Sequence, residues 1–518
     1  MITDAKTINV SELTEDQPEQ PRRWWILAVL CLVVLFITID DIIVSVALPT
    51  LALKLAATAS ELQWIAEAYV LVLAGLLLTG GSLIDRYGSR TMLLIGLVGF
   101  GLASAASAFA PNAAFLIAGR AAMGVGGALM MPATLSVLRQ TFSAKERPVA
   151  ISVWAAVSSL GIVIGPLLGG WLLEHFWWGS IFLINLPIIG FAIIASLVLL
   201  PPGQKRPGSP VDYTGTLLSI GGMSSLVFGV IEGPVMGWFS PAIISTLLGS
   251  ISLLVGFVIW ERHTKNPMLD LKLLRNPRFS IASLAVALAY FALFGTTFFL
   301  TQYLQFVLGL SPLEAGLRLI PVAISLTVAG LISPWLAGRL GTKLVVFSGL
   351  VLTAIGLLVF STINLNNGEA VVLIMLVIVG AGIGLAAIPA ADAIMGAVPK
   401  NQAGSAASVD ETAIQLGGAL GIAILGSILA TSFTSKLEAA PELPPAAITS
   451  GATESIGAAV RLATELGGIP GQNLLELARR AFVEAIGETA QLGAGVALLG
   501  AFLALLFLPA QQTKAEIE

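Results

Sequence analysis

Leu83-Ile-Asp-Arg-Tyr-Gly-Ser-Arg90 and Leu336-Ala-Gly-Arg-Leu-Gly-Thr-Lys343 are two versions of one segment, set about half the chain apart. Each follows a long apolar run and precedes another. Each places glycine among basic residues, so each reads as a short polar turn joining two helices. Two further features repeat in the same order: Gly161-x3-Gly165 has a counterpart in Gly417-x3-Gly421, and Pro132 has one in Pro389. The chain is therefore read as two related helical halves.

Composition says what those helices face. Hydrophobic residues make up 56% and charged residues 11%, and the mean hydropathy is +0.93. A soluble domain carries about 25% charged residues because its surface must be wet, so most of this surface must meet hydrocarbon. The 54 glycines suit helices packed closely in a membrane. Cys31 is the one cysteine, so no internal disulfide forms. His175 and His263 both lie beside turns. There is no metal-ligand cluster, no HExxH, no P-loop and no GxGxxG between a strand and a helix. No cofactor or enzymatic activity is expected, and the net charge of −4 gives no sign of nucleic-acid binding. The first 23 residues are polar and acidic, which does not fit a cleavable leader.

A span needs roughly 20 apolar residues to cross about 30 Å of hydrocarbon. That rule places helices at 24–48, 61–84, 91–110, 113–139, 148–173, 180–200, 213–232, 240–261, 280–307, 312–338, 343–363, 370–396, 403–432 and 481–509. An even number puts both termini on one side. The turns on that side hold Arg86, Arg90, Arg139, Lys145, Arg147, Lys205, Arg206, Arg262, Lys265, Lys272, Arg275, Arg278, Arg339, Lys343 and Lys400, against little beyond Lys54 on the other. Positive charge stays inside, so both termini are expected in the cytoplasm of a multi-pass protein of a bacterial-type inner membrane. The expected divisions are a tail (1–23), a six-helix bundle (24–200), an inserted helix pair with its linkers (201–279), a second six-helix bundle (280–509) and a tail (510–518). Within the second bundle, the outer segment 433–480 is rich in Ala, Pro, Gly and Glu. It reads either as an ordered hairpin capping the outer mouth or as a solvated linker. Repeated bundles of this kind mark transporters with a substrate site near the midplane.

Three motifs sharpen the reading. Gly81-Ser-Leu-Ile-Asp85-Arg86-Tyr-Gly88-Ser-Arg90 resembles the loop signature of the major facilitator superfamily between helices 2 and 3. Ser89 departs from it, standing where a base is usual. In that family the loop acts as a conformational gate: its glycines permit a tight turn, Asp85 faces a helix N-terminus, and Arg86 and Arg90 pair with acids. Leu116-x3-Arg120-x2-Met-Gly124-x-Gly-Gly-Ala128 resembles the family's helix-4 motif with a buried arginine. Such an arginine costs roughly 2.5–3.5 kcal/mol on insertion scales and calls for an acidic partner. Gly161-x3-Gly165-Pro166-x2-Gly169-Gly170 resembles the signature of the exporter branch. Gln63-Trp64-Ile65, Trp178–Asn185-x-Pro187, Asn266–Asp270, Tyr303-Leu-Gln305 and Leu310–Gly316 are similar to the fourteen-helix drug:proton antiporters, among them the exporters of quaternary ammonium compounds. The resemblance covers residues 22 to 509. It implies an all-α major facilitator fold of two six-helix bundles plus two inserted helices.

Acids inside spans are functional candidates by default. The resemblance places a proton-binding acid at Asp40, in helix 1, and further acids at Glu67, Asp410 and Glu411. Asp41 is Asp40's neighbour and points about 100° away, so it ranks second and is expected to be directed outward; for Asp41 and Asp410 a packing role stands equally. Asp392, at the end of helix 12, reads as a cap or the partner of a base. Trp64, Tyr69, Trp154, Tyr290, Phe294, Phe298 and Gln302 are candidates to line a cavity for flat cations. Some relatives carry another acid in helix 10, where this chain has Leu326, which puts doubly charged substrates in doubt.

The reading is alternating access by a monomer, with protons entering and lipophilic cations leaving, powered by the proton gradient. A second proton per monovalent cation would add about 2.3 kcal/mol per 100 mV. Two rivals remain: an exporter of a physiological lipid, peptide or metabolite on the same fold, and a non-transporting scaffold or sensor.

Overall fold

The computed structural model describes residues 22–143, 146–201, 212–264, 271, 273–365, 368–398, 403–449 and 451–509. Residues 1–21 and 510–518, the linker 202–211 and the Asn266–Asp270 motif lie outside them. In chain order the helices are α1 (Arg23–Lys54), α2 (Ala59–Tyr87), α3 (Ser89–Ala108), α4 (Ala113–Thr141), α5 (Arg147–His175), α6 (Ser180–Leu183), α7 (Asn185–Leu199), α8 (Tyr213–Met236), α9 (Pro241–His263) and α10 (Pro277–Gln302). They continue with α11 (Pro312–Arg318), α12 (Ile320–Leu340), α13 (Thr342–Phe360), α14 (Gly368–Gly396), α15 (Ala403–Glu438), α16 (Pro445–Thr449), α17 (Ile456–Leu466) and α18 (Gly468–Phe507). Among the described residues, fourteen helical segments are long and apolar enough to cross a membrane; α6 with α7 and α11 with α12 each make one of them. "Distal" below means the end away from Arg23 and Phe507.

Local chemistry sets the boundaries. Thr58 with Glu61 and Ser311 with Glu314 form capping boxes that start α2 and α11. The breaks at Ile184 and Leu319 each lie three or two residues before a proline. Pro187 and Pro321 lack the N–H that would bond back to Leu183 and Leu317, so each long span is jointed. The repeated turn has one backbone solution. Gly88 (φ 92°, ψ 142°) and Gly341 (φ 85°, ψ 147°) each end one helix and begin the next. That positive φ favours glycine, which explains why this glycine recurs in both halves.

α1 packs on α4, α5 and α7, α2 on α4, and α3 on α4 and α7. α10 packs on α14, α15 and α18, with α14 against α12 and α13. Between these sets, α2 meets α15, α5 meets α11 and α1 meets α10. The segment 433–480 is largely helical. Ser455 caps α17, Arg461 donates to the Ala52 carbonyl at the distal end of α1, and Arg479 Nε donates to the Phe306 carbonyl at 2.9 Å. It therefore forms a cap that touches both sets. α18 starts at Gly468, thirteen residues before the expected position, because its first turns carry Glu476, Arg479 and Arg480, which a hydropathy rule excludes from a span.

Of the inserted pair, α8 lies on the seam and α9 packs against α8. α8 runs along α2: Thr79 and Thr216 hydroxyls are 2.6 Å apart, and Ser60 Oγ and Trp64 Nε1 donate to Glu232 at 2.5 and 2.9 Å. Toward α15, the Ser427 hydroxyl donates to the Val230 carbonyl at 2.8 Å. Glu232→Ala removes the shared acceptor of Trp64 and Ser60. Stranding partly buried donors costs about 1–3 kcal/mol, so the purified variant should melt earlier, and Glu232→Gln, which keeps an acceptor, should lose less. Equal melting of Glu232→Ala and the parent protein would contradict this anchoring.

Candidate functional site

The most demanding side chain is Arg120 on α4, which is fully buried. Its Nη1 donates to Asp40 Oδ2 on α1 at 2.8 Å, and its Nε donates to the Ile65 carbonyl on α2 at 3.2 Å. The Tyr69 ring lies 4.5 Å from the guanidinium carbon. Asn185, the first residue of α7, donates to Asp40 Oδ1 at 2.6 Å and to Ser104 Oγ of α3 at 3.0 Å. Ser104 in turn donates to the Phe182 carbonyl at 2.8 Å. Asp40 thus has each carboxylate oxygen occupied, and the pair meets the requirement that a buried charge be matched and hydrogen-bonded.

Asp41 faces elsewhere. It lines a cavity of about 210 Å³ between the two sets of helices, on the stripe Ile37, Thr38, Asp41, Ile42 and Ser45. Opposite stand Tyr290, Phe294 and Thr297 of α10 and Glu411 and Gln415 of α15, with Ser158 and Pro166 of α5 and Leu319 and Val322 closing the wall. The Tyr290 and Phe294 rings stack with centroids 6.0 Å apart, and Gln415 Nε2 donates to Glu411 Oε1 at 2.8 Å. Among the described residues, the lining holds two carboxylates and no lysine, arginine or histidine.

Several expectations change. Asp41, expected to be directed outward, is the α1 acid at the cavity, while Asp40 is enclosed within the first set of helices. Trp64 anchors α8 through Glu232 and is not among the cavity-lining residues. Trp154 is not among them either, and Phe298 and Gln302 line a separate, smaller recess toward the distal end. Tyr69, Tyr290 and Phe294 do line the cavity. Glu67 is fully buried, and neither of its carboxylate oxygens has a hydrogen-bond partner among the described residues. Asp410 is not among the described residues lining the cavity, and its Oδ1 is buried with no hydrogen-bond partner among the described residues. In the loop motif, Gly81 lies inside α2 with open space beside it, and its neighbour Gly80 is the one pressed on the Ala128 carbonyl. Arg90 donates to the Leu197 carbonyl at 2.7 Å, where an acid was expected, and Arg86 lies over the Tyr87 ring. The side chain of Asp85 lies outside the described residues.

The α5 motif is a contact face. A Cβ on Gly161 would lie 2.7 Å from Thr38 Cβ, one on Gly165 3.2 Å from Ile42 Cβ, and one on Gly169 2.5 Å from Ile43 Cγ1. The glycines thus seat α5 against the stretch of α1 that carries Asp40 and Asp41. A Cβ on Gly170 would lie 2.5 Å from Leu313 Cα and 2.6 Å from the Pro312 oxygen, and Gly316 presses on the Pro166 carbonyl. Together with Gln305 Nε2 donating to the Val46 carbonyl at 2.9 Å, these approaches close the seam on the distal side of the cavity.

A cavity between two repeated sets of membrane helices, lined by carboxylates and closed at one end, defines a transporter. The chain matches the Major Facilitator Superfamily over residues 30–422 and belongs to that superfamily. It is similar to the multidrug efflux pump LfrA of Mycolicibacterium smegmatis, 38% identical over 492 residues, 95% of this chain and 97% of that one. It is also similar to the methyl viologen resistance protein SmvA of Salmonella typhimurium, 37% identical over 465 residues, 89% and 93% of the two chains. A bacterial homologue of the human lysosomal transporter Spinster, solved in an inward-facing, unoccupied conformation, shares the fold with a TM-score of 0.65 and 16% identity, over 96% of this chain and all of that one.

Gly170→Ala should force α5 and α11 apart, since overpacking at backbone contacts costs about 1–3 kcal/mol. A cysteine at Ser45, in a Cys31→Ser background, should then react faster with an impermeant maleimide from the distal side. Unchanged labelling would contradict the role given to this contact.

Proposed function

We propose that the protein is a proton-coupled antiporter that exports lipophilic, mainly cationic compounds by alternating access. Its termini face the cytoplasm of a bacterial-type inner membrane. The observation that carries this reading is the pairing of Asp41 and Glu411 across one cavity, beside the enclosed Asp40–Arg120 pair. A carboxylate held away from water is costly unless a positive charge or a proton offsets it. A cation and a proton therefore compete for the same groups, and competition at one alternately exposed site is what antiport requires. Tyr290 and Phe294 offer ring faces to a flat cation. The names of the relatives, a multidrug efflux pump and a methyl viologen resistance protein, support export of such compounds.

Within this scheme Asp40 couples the cavity to the helices. Its protonation would neutralise the partner of Arg120 and weaken the tie between α1 and α4, in the same set of helices that must rock against the other. Charge loss at one member of a buried pair is worth about 3–5 kcal/mol, enough to bias a conformational equilibrium strongly. Asp40→Asn keeps nearly the same volume and is permanently neutral. In proteoliposomes it should lose pH-driven uphill efflux of ethidium while the purified variant still binds the dye. Unchanged uphill efflux by a well-folded Asp40→Asn variant would remove Asp40 from the coupling step.

A further inference from the structure

We infer that the second copy of the repeated turn forms a binding site for the phosphodiester of a membrane lipid, with Arg278 and Arg339 as its anion contacts. A cavity of about 750 Å³ opens at the end of the molecule opposite the cap. It lies between the start of α10, the turn from α12 to α13, and the last turns of α14, with Pro509 beside it. Arg278, the second residue of α10, lines this cavity and is 9% exposed. Its backbone N–H bonds to Asn276 Oδ1 at 3.0 Å, but its guanidinium has no hydrogen bond or ion pair among the described residues. Burying an unpaired charge is costly, so a buried guanidinium in a cavity wall calls for an anion inside it.

The repeat explains why positive charge is left over. Aligning the two turns keeps the base, Arg86 and then Arg339, but sets Gly338 where the first turn has Asp85. Arg339 lies over the Trp335 ring at 4.1 Å and lines the same cavity. The carboxylate in the lining comes instead from Asp392 on α14, which makes no ion pair among the described residues. Two guanidiniums against one carboxylate leave a single positive charge, and a phosphodiester monoanion matches it. Gly341 brings no capping side chain to the start of α13 at the cavity wall, so the positive end of that helix adds to the attraction. The source of the phosphodiester follows from the surroundings. The turn joins two membrane spans, and basic pockets between such helices hold lipid headgroups. Trp335, Leu340 and Ile388 are exposed beside the cavity and give acyl chains an apolar surface that a free phosphate would not use.

The test counts lipids retained by the purified, delipidated full-length protein in native mass spectrometry. The probes are dioctanoylphosphatidylglycerol and dioctanoylglycerol, which share their chains and differ in the phosphodiester headgroup. The parent protein should hold the first phosphatidylglycerol at least about tenfold more tightly than dioctanoylglycerol, and an equal concentration of inorganic phosphate should not displace it. Arg278→Gln should weaken that lipid by about tenfold or more. Gly338→Asp, which returns the acid of the first turn, should do the same. A Cβ at Gly338 meets nothing within 4 Å, so Gly338→Asn, of the same size and neutral, should shift the lipid by less than about threefold. Equal retention of the two lipids by the parent protein overturns the inference, as does displacement by inorganic phosphate. Unchanged retention in Arg278→Gln or in Gly338→Asp, or a loss in Gly338→Asn as large as in Gly338→Asp, also overturns it.

Discussion

The buried Arg120–Asp40 pair is the constraint on which the rest of the first helical set depends. Through Asp40, Asn185, Ser104, the Ile65 carbonyl and the Tyr69 ring it joins α4 to α1, α7, α3 and α2. Five helices meet at one charge, and none can move far without exposing it. Removing one partner of such a pair costs about 3–5 kcal/mol. The pair therefore makes this set a rigid body and concentrates any large motion at the seam with the other set.

That seam is built in an opposite manner. On its distal side it is glycine against backbone: Gly170 on Leu313, Gly316 on the Pro166 carbonyl. Dispersion contacts of this kind are individually weak and form or release without breaking a charge. The cap formed by α17 and the start of α18 bonds to carbonyl groups at the ends of both sets, so it spans the same seam. A rigid set, a weak seam and acids at the cavity between them are the physical parts that alternating access needs.

Much of this was legible in the sequence, for identifiable reasons. Spans are readable because hydrocarbon imposes a length and a composition on them, and the turn glycines because Gly88 and Gly341 share a positive φ. The need of Arg120 for an acid follows from its cost in a membrane. What the sequence hid were outcomes of packing. Which of two adjacent aspartates faces the cavity depends on the rotation of α1, and a spacing rule gives the angle between them but not its origin. Asn185 lies 145 residues from Asp40, and nothing local in its motif says that it bonds to a carboxylate. Trp64 looked like a cavity aromatic because its partner, Glu232, sits on an inserted helix whose position no repeat predicts. The early start of α18 was missed because its first turns are polar, and a hydropathy rule registers only the part in lipid.

The central claim, that proton flow drives cation export, is tested most directly by ethidium efflux from proteoliposomes holding the purified protein, with pH and voltage gradients imposed separately. The account predicts that a pH gradient alone drives the dye against its own gradient, and that collapsing it with a proton carrier stops the movement at once. Uphill efflux that persists after the proton gradient is collapsed, or dye movement that only ever runs downhill, would contradict it.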